Sequence, residues 1–208
     1  TKAIGHGYKT LKLKLGATDP QQEIPLLLEL CSSLPGTVQL RLDANRAWDM
    51  TTAESMLKQM QGLPIESLEE PLSKPDLERL KQLQETTPIT LALDESCRNL
   101  QTTDLHRLSP LRRIILKPMV LGGLTPCLLL GQRAQQLGIE AVVTTTVDSA
   151  AGVWAATQLA AALDAGGRLC HGLGTGEWLQ RDLGTAPEIR QGEITIPATP
   201  GLGFSPYP

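Results

Sequence analysis

The chain has 208 residues, 19 Lys+Arg against 22 Asp+Glu, a net charge of −3, and 41% hydrophobic residues. That balance excludes a disordered chain, which carries fewer apolar residues and more charge, and a general nucleic-acid binder, which shows a basic excess. No apolar run approaches the ~20 residues of a membrane-spanning helix and no basic-then-apolar pattern opens the sequence, so a cytoplasmic protein without nucleic-acid or membrane partners is expected.

In chain order, the residues before Tyr8 read as the end of a helix. Short apolar runs then alternate with longer amphipathic stretches. The runs are Leu11–Leu15, Val38–Asp43, Ile65–Glu69, Ile89–Asp94, Ile114–Lys117, Ala141–Thr145 and Arg168–His171. Helices are predicted between them over 19–33, 51–61, 75–86, 99–108, 125–137 and 149–164. Thr18-Asp19-Pro20 offers a cap with proline at an early position. Thr51 or Thr52 precedes Glu54, and Asp148-Ser149 precedes an Ala-rich run. Strand–helix alternation predicts a mostly parallel sheet. A doubly wound sheet stays open, but no G-x-G-x-x-G follows the first strand. Seven strands fit a barrel at about 30 residues per unit, and eight do not. The expected division is a barrel portion over 1–183 and a Pro/Gly-rich tail over 184–208 with one strand, Glu193–Ile196. Cys31, Cys97, Cys127 and Cys170 lack metal-knuckle or redox spacing and read as buried, reduced thiols.

The charges on the strands are the informative feature. Lys12 and Lys14, Asp43, Glu69, Asp94 and Lys117 recur at steps of about 25 residues, one β/α unit each. They fall at the C-terminal ends of consecutive parallel strands, where a barrel carries its active site. Any one of them alone reads as a cap or a solvated residue; the ordered set does not. Three converging carboxylates repel one another, and a hard divalent cation relieves that repulsion. Oxygen ligands without His or Cys point to Mg2+, with Mn2+ as its substitute, over zinc or copper. A lysine beside a cation and a second lysine is suited to act as a base. Period-2 alternation puts Arg41 on the face of Asp43, towards the pocket.

These residues carry a resemblance. TLKLKLG (10–16), RLDANRAW (41–48), IESLEEPL (65–72), LALDES (91–96) and ILKPMVLGG (115–123) resemble, in order, the active-site strands of the enolase superfamily, muconate-lactonising subgroup. RLDANRAW and HGLGTGEWLQRDL (171–183) are most similar to its o-succinylbenzoate synthases. The resemblance implies a TIM-type barrel whose first strand and helix, and an α+β capping domain, lie upstream of the match. It implies Asp43, Glu69 and Asp94 as Mg2+ ligands, Lys14 as the base, Lys12 as the group that depresses its pKa, and Lys117 as the electrostatic stabiliser opposite. Asn45, Glu70 and Glu95 would support them from behind. Arg41, Thr144, Thr145 and Gly172 would bind the substrate, a small carboxylate. His171 is given no chemistry, and Trp178 is expected to anchor the last helix. The implied reaction is dehydration of 2-succinyl-6-hydroxy-2,4-cyclohexadiene-1-carboxylate to 2-succinylbenzoate, in menaquinone or phylloquinone synthesis. The rivals are an N-succinylamino-acid racemase or dipeptide epimerase, and an inactive, incomplete barrel. A homo-oligomer, or a chain supplying the upstream part, is the expected macromolecular partner.

Overall fold

A computed structural model describes residues 2–208, the Glu177 side chain excepted. After a short helix α1 (Lys2–Gly5), strands and helices alternate: β1 (Thr10–Lys14), α2 (Pro20–Ser33), β2 (Gln39–Asp43), α3 (Met50–Gln59), β3 (Ile65–Glu69), α4 (Leu77–Glu85), β4 (Thr90–Leu93). Then follow β5 (Arg113–Leu116), α5 (Pro118–Leu121), α6 (Leu124–Gln136), β6 (Glu140–Val143) and α7 (Ala150–Leu163). The sheet order is β1-β2-β3-β4-β5-β6, every pair parallel. Sequential order with no reversal rules out the doubly wound alternative, whose strand order switches direction.

Period-2 alternation sorts the strands into two faces. Leu40, Leu42, Leu68, Leu91, Leu93, Ile114, Leu116 and Val143 join Leu27, Met56, Leu57, Leu83, Leu130 and Leu159 of the helices in one apolar core. Ala92, Ile115 and Val142 form a separate small cluster on the other face. That inner face is otherwise ionic. Arg41 grips Glu66 through two bonds of 2.8 and 2.9 Å, and Arg113 contacts Glu66 at 2.9 Å and Glu140 at 2.6 Å. Arg41 and Arg113 are buried, so these ion pairs are shielded from solvent.

Aspartates start three of the helices. Asp19 accepts from the Gln21 N–H, with Pro20 opening α2 as expected. Asp49, rather than Thr51 or Thr52, accepts from the Thr52 N–H at α3, and Asp76 caps α4. Ser149 makes no capping bond at α7; the Asp182 carboxylate accepts from Ala150 N–H instead, at 2.8 and 2.9 Å.

Several expectations are corrected. The helix predicted over 99–108 is two 3-10 turns, Glu95–Asn99 and Leu105–Arg107. Between them the Asp104 carboxylate accepts from Gln101 N–H, a local bond that competes with a helix. The predicted strand Arg168–His171 is not formed; one parallel bridge, Thr144 to Gly172, takes its place. Side chains displace the ladder there: His171 Nδ1 accepts from Val143 N–H, and Asp164 accepts from Leu169 N–H. His171 therefore has a structural duty. In the tail, β7 (Ile189–Arg190) pairs antiparallel with β8 (Glu193–Ile194), shorter than the strand expected. The tail packs on α7, where Trp154 Nε1 donates to Thr185 O and Gln158 to Leu202 O. Trp178, in a 3-10 turn, is 73% exposed and anchors nothing. Cys31, Cys97 and Cys127 are buried free thiols, but Cys170 is exposed.

Removing one partner of a buried ion network strands the others without water. Glu66→Ala leaves two buried guanidinium groups short of their shared carboxylate and is expected to cost about 3–5 kcal/mol, read as a lower urea midpoint.

Candidate metal centre

The strand ends deliver the charged residues to one place. Register pairs Lys14 with Asp43 and Asp43 with Glu69 across β1, β2 and β3. Asp94 follows β4 and Lys117 follows β5, each as the residue that starts the next turn. One oxygen each from Asp43, Glu69 and Asp94 lies within 4.8 Å of the others, and all three residues are buried. Unlike Asp19, Asp49 and Asp76, neither Asp43 nor Asp94 spends its carboxylate on a helix start.

Ammonium groups hold this negative cluster. Lys12 Nζ sits 2.8 Å from Asp43 Oδ2 and 2.5 Å from Glu69 Oε2. Lys14 Nζ is 3.4 Å from Asp43 and donates to Asn45 Oδ1. Lys117 Nζ is 2.5 Å from Asp94 Oδ2. Burial opposes the charge on Lys12, but Glu69 and Asp43 outweigh it and raise its pKa. For Asp43, burial pushes upward, yet Lys12, the Asn45 N–H and Lys14 prevail and lower it. Glu69 goes the other way: burial raises it, Lys12 only partly opposes, and Asp43 and Asp94 add like charge. Asp94 is raised by burial against the pull of Lys117. The two carboxylates sharing Lys12 thus differ because Asp43 has further partners in the Asn45 N–H and Lys14, whereas Glu69 stands between two other carboxylates.

The donor set fits a hard divalent cation. It is all oxygen, and Glu69 Oε1 is buried without a hydrogen-bond partner. Around it, Asn45 Nδ2 donates to Glu95 Oε1 at 3.0 Å, tying the β2 loop to the β4 turn. Glu70 accepts from Asp94 N–H and Ser96 N–H at 2.9 and 2.7 Å. Thr144 is buried with its Oγ1 unpartnered, and Gly172 lies against it so closely that a Cβ would meet Thr144 Cγ2 at 2.8 Å. Thr145 is turned the other way by alternation, bonding Gly172 O and Thr175 Oγ1. Arg41 does share the inner face of Asp43, but its guanidinium is committed to Glu66 and to Cys170 O at 2.9 Å. It supports the cluster from below, 3.9 Å from Glu69 Oε1, instead of opening towards a ligand. Sequence reasoning missed Glu66, the β3 residue left unpaired where the register shifts opposite Leu40 and Arg41. It also missed Arg46 and Ser96, which both contact Glu70.

All of residues 1–208 match the family described as enolase C-terminal domain-like. The chain belongs to that family. An o-succinylbenzoate synthase of Desulfotalea psychrophila is 31% identical over 86% of this chain and 50% of its own length. A chloromuconate cycloisomerase of Pseudomonas putida is 28% identical over 94% of this chain and 53% of its own. The solved substrate-liganded complex of the L-Ala-D/L-Glu epimerase from Bacillus subtilis superposes with a TM-score of 0.85 at 27% identity, over 98% of this chain and 57% of that one. The chain thus spans about half the length of the curated relatives it matches. The enolase-type barrel expected from the strand motifs is borne out. Among the described residues no helix is long and apolar enough to cross a membrane.

A cation must displace protons from its ligands. Glu69 and Asp94 hold theirs above the usual carboxylate range. Without the cation their contribution to stability is present at low pH and lost as pH rises through those folded-state values. Added Mg2+ is therefore expected to raise Tm more at pH 8 than at pH 5, and calorimetric titration is expected to show affinity climbing over the same interval.

Proposed function

We propose that this chain carries the chemical site of a Mg2+-dependent lyase that dehydrates 2-succinyl-6-hydroxy-2,4-cyclohexadiene-1-carboxylate to 2-succinylbenzoate. The observation that carries the reading is the pair of lysines on opposite flanks of the carboxylate trio, Lys14 from β1 and Lys117 beyond β5. The likeness to an o-succinylbenzoate synthase supports it. So does the charge of the rim. Lys14 and Lys117 present ammonium groups that match a dicarboxylate, and Glu95 is engaged by Asn45.

Asp43, Glu69 and Asp94 would hold the ion. When bound, Mg2+ supplies a Lewis acid for the substrate carboxylate and makes the adjacent C–H acidic. Lys14, whose side chain is 66% exposed, takes that proton at Nζ while Asn45 fixes the ammonium's direction. Lys12, a fixed positive charge on the same strand face, holds Asp43 and Glu69 in place beside it. Lys117 stabilises the charge that develops on the substrate from the opposite side. Lys14 then returns the proton to the leaving hydroxyl on its own face, the C–O bond breaks, and water departs.

Lysines on both flanks also suit a 1,1-proton transfer, so racemisation of N-succinylamino acids is the second reading. Lys14→Ala is expected to lower turnover by about 10²–10⁴-fold while Mg2+ still binds. Near-normal turnover in that variant would remove Lys14 as the base. An ultraviolet assay of the cyclohexadiene substrate beside polarimetry of an N-succinylamino acid separates the two readings. Racemisation without dehydration favours the second.

A further inference from the structure

Asp94 stands at the head of the 3-10 turn Glu95–Asn99, where an aspartate ordinarily folds its carboxylate back onto the second or third N–H of the turn. It makes no such bond. Its Oδ2 reaches Lys117 instead. The N–H that it forgoes, that of Ser96, is taken by Glu70 Oε1 at 2.7 Å. The same oxygen accepts from Asp94 N–H at 2.9 Å, and Oε2 accepts from Ser96 Oγ at 3.1 Å. Arg46 Nε lies 3.5 Å from Oε2, and Arg46 N–H donates to Glu70 O at 2.7 Å. Glu70 is fully buried, and its φ of 38° is in the left-handed region that a side-chain-bearing residue seldom adopts. Asn45 and Arg46, in the loop it touches, have φ of 43° and 62°. Unfavourable backbone at three positions around one carboxylate marks a local geometry that the surrounding bonds enforce.

We infer that Glu70 is a positioning residue that caps the turn after β4 in place of Asp94, and so releases the Asp94 carboxylate to the metal centre. The inference rests on the metal-binding reading of Asp43, Glu69 and Asp94. The physical reason is competition for acceptors. Without Glu70, two backbone N–H groups beneath the rim lose their partner, and for that of Ser96 the side chain at the head of the turn, Asp94, is the ordinary acceptor. Once Asp94 caps its own turn, the trio loses its third oxygen donor. The relation is directional: Glu70 holds the N–H groups of Asp94 and Ser96, and its effect on the ion runs through Asp94.

Glu70→Met keeps an unbranched side chain of similar length without acceptors, and Glu70→Gln keeps an acceptor oxygen. Mg2+ affinity is read by calorimetric titration and by the Mg2+-dependent rise in Tm. Glu70→Met is expected to bind about 10–100-fold more weakly than the unaltered chain, and Glu70→Gln nearly as tightly as it. Unchanged affinity in Glu70→Met would overturn the inference. So would equal losses in the Met and Gln variants, since charge rather than capping would then be at work. Should circular dichroism show Glu70→Met unfolded, Ser96→Ala decides: removing one of the three anchoring bonds is expected to weaken Mg2+ by about threefold, and no change overturns the inference. Asp94→Asn is the control. If it binds Mg2+ as the unaltered chain does, the metal reading itself fails, a result distinct from any Glu70 outcome.

Discussion

Three buried carboxylates at the ends of adjacent strands are the constraint around which this protein is organised. Buried at separations under 5 Å, their mutual repulsion is large enough to unfold a marginal domain if nothing opposes it. The chain opposes it with strand-borne charge. Lys12 and Lys14 come from β1 and Lys117 follows β5, so the positive groups stand on both sides of the negative ones. Beneath them, the Arg41–Glu66–Arg113–Glu140 network repeats the principle with every charge matched. The long aliphatic stems of lysine and arginine serve as well as their heads, filling the space between strands.

Much of this was legible in the sequence, and the reason is periodicity. An apolar run that ends in a charge, repeated every β/α unit, has one simple structural meaning, because parallel strands in sequential order must align their C-terminal ends. Spacing alone therefore places Asp43, Glu69, Asp94, Lys14 and Lys117 on one rim, where the structure brings them together. What spacing does not encode is which of two acceptors a backbone N–H selects. Asp49 rather than a threonine starts α3, and Asp182, far along the chain, starts α7. Arg41 was placed on the correct face, but only the register shift that turns Glu66 inward reveals where its guanidinium ends. The stretch after β4 failed as a helix because Thr102, Thr103 and Asp104 favour local turns, a preference weaker than a proline and easily overlooked.

The relatives share the barrel and differ in reaction: a synthase, a cycloisomerase and an epimerase lie at comparable distance from this chain. Fold alone therefore does not choose among them. The choice lies with groups that meet the substrate beyond the carboxylate trio. Thr144 Oγ1, buried and without a partner, is the kind of group whose demand for a hydrogen bond makes one substrate fit and another not.

The separation of the sheet into two faces has a wider consequence. Leucines, valines and isoleucines that bind the helices all point one way, and the residues that handle charge point the other. Each strand thus carries two alphabets, interleaved one residue apart and set by different physics. A change in the inward alphabet alters what the rim can do without renegotiating how the helices pack, and a repacked helix leaves the rim's chemistry in place. A scaffold so divided can be rewritten for a new reaction one letter at a time.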